Sequence, residues 1–286
     1  MGLAAIDADC VSRQDETQRT VSADHRLAAM TVSETALMVE LDGVAKKFPN
    51  GRSVLDPLAL EIRKGEFVTL IGPSGCGKST LLKLISGLTP PSQGTIRVDG
   101  LTPNNAREII SFVFQDATLL PWRTVFQNVC LGLELEGAAR ARQQKRADEL
   151  LRLVGLERVS GAYPRELSGG MKMRVSIARA LSTNPRLLLM DEPFGALDEM
   201  TRDRLNEEIL RLRGEQSWTA VFVTHSVIEA VFLSTRIVVL APNPGRIHAT
   251  FAVDLPIERT AELRTTTEFD RIVAKVSRAL REAIAQ

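Results

Sequence analysis

Gly72, Gly77, Lys78 and Ser79, in the stretch FVTLIGPSGCGKST, have the types and spacing to hold a phosphate chain. They match GxxxxGK[ST], with an apolar strand before the motif and a helix start after it, as that motif requires. Glycines let backbone N–H groups turn inward around phosphate oxygens, and a helix N-terminus adds a favourable field. Pro73, Ser74, Gly75, Cys76 and Thr80 complete the loop. Lys78 offers a point charge to the β- and γ-phosphates, and the Ser79 hydroxyl is suited to ligate Mg²⁺. Cys76 stands at a variable position and reads as a bystander, although a thiol at a helix N-terminus can be more reactive than most.

LLLMDEPFGALD carries the complementary groups. An apolar strand ending in Asp191 delivers a carboxylate to the C-terminal edge of a sheet, where a nucleotide also lies. Asp191 there would hold Mg²⁺ through water, and Glu192 can polarise a water for in-line attack on the γ-phosphate. The reaction class is therefore nucleoside-triphosphate hydrolysis or transfer. Kinases, GTPases, helicases and recombinases share both motifs, so the biology stays open. A second anion cradle lies far downstream in LSGGMKMRVSIARAL. Ser168 can donate its hydroxyl, and Gly169 and Gly170 can offer N–H groups at the positive end of a helix.

The elements that must position these residues are legible in outline. LMVELDGV and LALEIR (58–63) alternate as antiparallel strands with one wet face do. FVTLI (67–71), ISFVF (110–114), LLLM (187–190), AVFV (220–223) and IVVL (237–240) are continuous apolar runs separated by helical stretches. That pattern predicts a parallel sheet covered on both faces. Residues 124–182 have no such run. Their helical spacing, for example Ala147, Leu150, Leu151 and Val154, predicts a helical insert at about 116–182. Residues 1–36 read as an extension without apolar period, 37–250 as the main domain, and 251–286 as a helical tail packed on it.

The bulk composition narrows the partners. The 286 residues are 44% hydrophobic and 25% charged, with a formal net charge of +1. Such a balance disfavours nucleic acid as a partner. Cys10, Cys76 and Cys130 show no CxxC spacing and fit a reducing compartment. No run approaches the roughly 18 apolar residues needed to span a bilayer, and no signal peptide is visible. A cytoplasmic chain is expected, with any membrane role exercised through a partner.

LSGGMKMRVSIARAL resembles the signature motif of ATP-binding cassette (ABC) ATPases, and the other elements follow in family order from Leu37 to Arg246. Phe48 in VAKKFPNG matches the aromatic that stacks on adenine. Gln115 in FVFQDATLLPW matches the Q-loop glutamine, a Mg²⁺ ligand that also senses the γ-phosphate. GALD (195–198) matches the D-loop, and His225 in VTHSVIEA matches the switch histidine that contacts the γ-phosphate or the attacking water. The resemblance implies an α/β P-loop fold: a mixed core sheet, an antiparallel β subdomain and an inserted helical subdomain. It also implies that Ser168, Gly169 and Gly170 bind ATP held by the opposing subunit of a head-to-tail homodimer. Met171 replaces the commoner Gln, for which at most a modest loss is expected.

LLPWRTVFQNVCLGLE, DEPFGALDEMTR and VTHSVIEAVFLSTRIVVLAPNPGRI look most like the nitrate, sulfonate and taurine importer group. Ser226 and Ile228 depart from the acidic residues commoner there, and residues 1–36 have no counterpart. The resemblance implies two copies seated peripherally at the cytoplasmic face of the inner membrane on integral permease subunits. A periplasmic or extracellular solute-binding protein would serve them indirectly. Importers of other small organic nutrients, such as pyrimidine precursors, exporters and non-transport ABC ATPases are the alternatives.

Overall fold

The computed structural model describes residues 36–216, 218–256 and 259–285. The N-terminal extension through residue 35, with Cys10, lies outside the described residues. The alternating segments become β1 (Leu37–Lys47) and β2 (Ser53–Arg63), which pair antiparallel, and β4 (Gln93–Val98) pairs antiparallel on the other edge of β1. This three-stranded sheet buries one face, carrying Val39, Leu41, Leu60 and Ile62.

The continuous runs build the larger sheet. Its members are β3 (Phe67–Ile71), β5 (Ile110–Val113), β6 (Leu187–Asp191), β7 (Thr219–Val223), β8 (Arg236–Ala241) and β9 (Arg246–Ala252). Their order is β5-β6-β7-β3-β8-β9, parallel as far as β8 and antiparallel at the final pair. Phe67, Leu188, Met190 and Phe222 fall in one hydrophobic cluster, and Val68, Leu70, Leu189 and Val221 in another. The partition is the period-2 alternation of strands covered on both faces.

β9 departs from the expected layout, running through Ala252 into residues assigned to the helical tail. Its residues are mostly half-exposed, as suits an edge strand, so RIHATFA carries no apolar run. β4 escapes notice for the same reason, since four of its six residues are exposed.

The helices follow the spacing. After β3 comes α1 (Lys78–Ile85). Between β5 and β6 lie α2 (Val125–Val129), α3 (Leu131–Leu135), α4 (Arg140–Leu153) and α5 (Gly169–Leu181). The first opens on a capping box, with Thr124 and Gln127 bonding each other's backbone N–H. Then come α6 (Glu199–Gln216), α7 (Val227–Leu233) and α8 (Thr267–Ile284). On α8 the predicted face is inward: Phe269, Val276 and Ala283 are buried, and Ile272, Val273 and Leu280 pack against the core.

Candidate functional site

Parallel strands end on one side of a sheet, so the loops after them share one edge. Four neighbouring strands use that edge here. The phosphate loop follows β3, Gln115 follows β5, Asp191 and Glu192 close β6, and His225 follows β7. A cleft of about 410 Å³ opens there, lined by Ser74, Gly75, Gly77, Lys78, Ser79, Thr80, Gln115, Glu192 and His225, with Phe48 on its rim.

The loop is shaped by close packing. A Cβ on Gly72 would stand 2.6 Å from the Leu240 carbonyl oxygen, so the chain there must be bare for the loop to lie against β8. Lys78 Nζ donates to the carbonyls of Gly72 and Pro73 at 2.8 and 3.0 Å, which folds the ammonium over the loop. Cys76 is buried, and burial pushes its thiol up despite the neighbouring Lys78. A raised pKa disfavours the nucleophilic thiolate, so the helix terminus does not activate it.

Ser79 Oγ donates to Asp191 Oδ1 at 2.9 Å, and Asp191 is buried. Burial pushes the Asp191 carboxyl up, and the Ser79 hydrogen bond only partly opposes it. A carboxylate placed against that penalty, beside a hydroxyl and a phosphate loop, fits a hard cation. Mg²⁺ is such a cation, taking few protein ligands and sharing its shell with phosphates and water. Mg²⁺ held there would neutralise charge on the β- and γ-oxygens.

Glu192 is set differently. Its N–H continues the ladder to the Val223 carbonyl at 3.0 Å, and its φ of 49° turns the chain sharply out of the strand. A left-handed conformation costs a non-glycine residue ~1–2 kcal/mol, strain of a kind found at functional sites. Phe194 anchors the turn from below, its ring 5.5 Å from that of Phe222. The Glu192 carboxylate then meets His225 Nε2 at 2.6 Å through Oε1 and accepts from Gln115 Nε2 at 3.3 Å through Oε2. Three side chains from three strand ends thus converge on one point at the cleft. Gln115 makes its hydrogen bond to Glu192 rather than to the Ser79–Asp191 pair expected to share a metal with it.

Phe48 sits on a turn closed by its N–H to the Arg52 carbonyl and by the Gly51 N–H to its own carbonyl, both 2.9 Å. Lys46 Nζ lies 5.4 Å from the ring centroid, a cation–π arrangement. Arg52 and Val54 also line the cleft, and sequence reasoning missed them. The available signal was their place just after Phe48, Arg52 closing its turn and Val54 at the start of β2.

The second cradle stands apart. Ser168 caps α5, its Oγ accepting from the Met171 N–H at 3.3 Å. Neither Ser168 nor Gly169 or Gly170 lines the cleft. A Cβ on Gly170 would lie 3.2 Å from both Ala196 O and Leu197 Cδ2, so this turn packs against GALD (195–198).

A family model described as ABC transporter matches residues 55–195. The taurine import ATP-binding protein of Rhizobium johnstonii is 49% identical over 214 residues, covering 74% of this chain and 81% of that protein. The chain belongs to the ABC transporter ATP-binding family. The aliphatic sulfonates import ATP-binding protein of Bacillus cereus is 43% identical over 243 residues, covering 84% of this ABC ATPase and 94% of that protein. The bicarbonate transport ATP-binding protein of a Synechocystis strain is 47% identical over 231 residues, 78% of this chain and 35% of its own length. Among solved structures, a dimeric post-hydrolysis ATP-binding cassette with ADP and Pi aligns with TM-score 0.71 and 35% identity, covering 77% of this chain and all of that one.

Proposed function

We propose that this ABC ATPase is the energy-coupling subunit of an importer. Two copies, joined head to tail, hydrolyse ATP on integral permease subunits at the cytoplasmic face of the inner membrane. The observation that carries the reading is the separation of the two phosphate cradles. The cleft offers Lys78, Ser79, Glu192 and His225, whereas Ser168, Gly169 and Gly170 do not line it. A second cradle outside the first site has a use if it closes on the ATP of another copy.

In the assembled site the loop N–H groups and Lys78 hold the phosphates. Ser79 and Asp191 would hold Mg²⁺, with Gln115 as a third residue toward it, and the ion would supply charge neutralisation on the phosphates. Glu192 takes the proton of the attacking water while His225 orients that water and the γ-phosphate. Phe48 offers a ring to adenine.

Transport is supported by the names of the relatives and by an exposed apolar residue near the γ-phosphate sensor. Trp122, a few residues after Gln115, is 70% exposed. Tryptophan is enriched at protein interfaces, so a Trp left in water seven residues along from that sensor suits contact with a permease. No helix among the described residues is long and apolar enough to cross a membrane. Taurine, sulfonate and bicarbonate in the relatives' names support a solute from the class of small polar or anionic compounds, which in this reading an external binding protein delivers.

The test is Glu192→Gln. It should hydrolyse ATP ~10²- to 10⁴-fold more slowly while still binding it. With ATP and Mg²⁺ it should run as a dimer in size exclusion, and without ATP as a monomer. Hydrolysis at the normal rate would refute the assignment of the base. A monomer under ATP saturation would refute the sandwich.

A further inference from the structure

Beside His225 lies a buried carboxylate that the hydrolytic step does not use. Glu229, in the first turn of α7, is 6% exposed. Its Oε2 accepts from Thr224 Oγ1 at 2.5 Å, and its Oε1 lies 3.4 Å from Arg202 Nε. Thr224 immediately precedes His225, and its hydroxyl oxygen also accepts from the Ser226 N–H at 3.0 Å. Ser226 Oγ in turn accepts from the Glu229 N–H at 3.2 Å. Thr224, Ser226 and Glu229 thus form a ring of hydrogen bonds that brackets His225 on both sides.

The other end of the carboxylate leads elsewhere. Arg202, on α6, donates through Nη2 to the Leu197 carbonyl at 3.0 Å. Leu197 and Ala196 are the neighbours against which Gly170 packs. A third element braces the seam: Arg264 pairs with Asp203 on α6 and lies 4.3 Å over the Phe232 ring on α7. The contacts run unbroken from the His225 turn through Glu229, Arg202 and Leu197 to the Ser168–Gly170 turn.

An ion pair with one buried and one half-exposed member is weak evidence for stability, because desolvation of the buried carboxylate offsets much of its attraction. Burial indeed pushes the Glu229 carboxyl up against the pull of Thr224 and Arg202. What such a pair supplies is a fixed relative placement of the parts it joins. We infer that Glu229 and Arg202 are positioning residues that set the His225 turn by the state of the Ser168–Gly170 turn. This deepens, and rests on, the reading in which that turn closes on the partner's ATP. Engagement of one ATP would then reach, within one chain, the histidine that serves the other.

The experiment uses the full chain and reads kcat, KM for ATP and melting temperature for Thr224→Val, Thr224→Ser, Glu229→Gln and Arg202→Met. Val has the shape of Thr with a methyl in place of the hydroxyl, which leaves Glu229 and the Ser226 N–H each short of one partner, so melting temperature is read beside kcat. Thr224→Val and Glu229→Gln should each lower kcat about 10- to 100-fold, the scale of a small misplacement. KM should stay within about 3-fold, because ground-state binding is untouched. Arg202→Met should lower kcat in the same sense. Thr224→Ser should restore the rate, and Thr224→Val with Glu229→Gln should be no worse than either alone. An unchanged kcat in Thr224→Val overturns the inference. So does a Thr224→Ser as impaired as Thr224→Val, or a loss of kcat that merely follows melting temperature. Glu192→Gln dimerisation tests the sandwich separately, so a dimerising Glu192→Gln beside a fully active Thr224→Val would sink this inference alone.

Discussion

Gly245 offers a test of how the phosphate loop is held, because it touches the loop without reaching its cleft. It lies in the turn between β8 and β9, its N–H donating to the Val54 carbonyl at 2.9 Å and its carbonyl accepting from the Asp56 N–H at 3.0 Å. A Cβ there would stand 2.1 Å from the Cys76 carbonyl oxygen and 3.0 Å from that of Val54. Ordinary contact begins at 3.4 Å, so Gly245→Ala demands about 1.3 Å of movement from the turn or the loop. Both hydrogen bonds oppose retreat of the turn, so the shift is expected in the loop. Overpacking of this kind costs about 1–3 kcal/mol. For a chain of this size that lowers the melting temperature by about 2–10 °C. Displacing even one loop N–H from a phosphate oxygen should weaken ATP about 10- to 100-fold, the value of one charge-assisted hydrogen bond. Titration with a fluorescent ATP analogue and a thermal melt read both quantities. Gly161→Ala, where a Cβ meets nothing within 4 Å, serves as the control. Gly245→Ala with wild-type affinity and melting temperature would refute the reasoning.

Further outcomes follow from the same contacts. Asp191 has its carboxyl raised by burial, so its contribution to stability is present at low pH and lost as pH rises through the raised value. Without nucleotide or Mg²⁺, Asp191→Asn should therefore melt above wild type near neutral pH, and the gap should close in acid. A gap independent of pH would contradict this. Arg259 donates through Nη1 to the carbonyls of Val231, Phe232 and Ser234, closing the C-terminal end of α7. Arg259→Met leaves those acceptors buried and unmet, at a cost of about 2–4 kcal/mol. A thermal melt should show a fall of about 5–15 °C. Trp122→Ala removes an exposed ring, so stability should change by no more than about 0.5 kcal/mol. Its ATPase rate should hold while its recovery with a permease falls.

Much of the site is legible because it is local. The loop 72–80 and the pair Asp191–Glu192 announce themselves through strand, turn and helix in one short stretch, and parallel-strand geometry gathers their ends on one edge. β9 and β4 were not legible, since an edge strand with one wet face carries no apolar run. Gly245, Glu229 and Arg202 were not legible for another reason. Gly245 is 169 residues from Cys76 along the chain, and nothing in APNPG says which loop will press against it. Glu229 reads as an ordinary helix-start carboxylate until Thr224 and Arg202 are seen to close on it. At Cys76 burial outweighs the pull of the neighbouring Lys78 on the thiol.

Affinity purification of the tagged full chain from detergent-solubilised membranes, with co-purifying proteins identified by mass spectrometry, bears most directly on the transport reading. The account predicts a multi-span permease in amounts comparable to the chain, and its companion binding protein would then be screened with small anions and sulfonates. A chain recovered only from the soluble fraction, alone or with ribosomes or DNA, would leave the ATPase chemistry intact and contradict the importer.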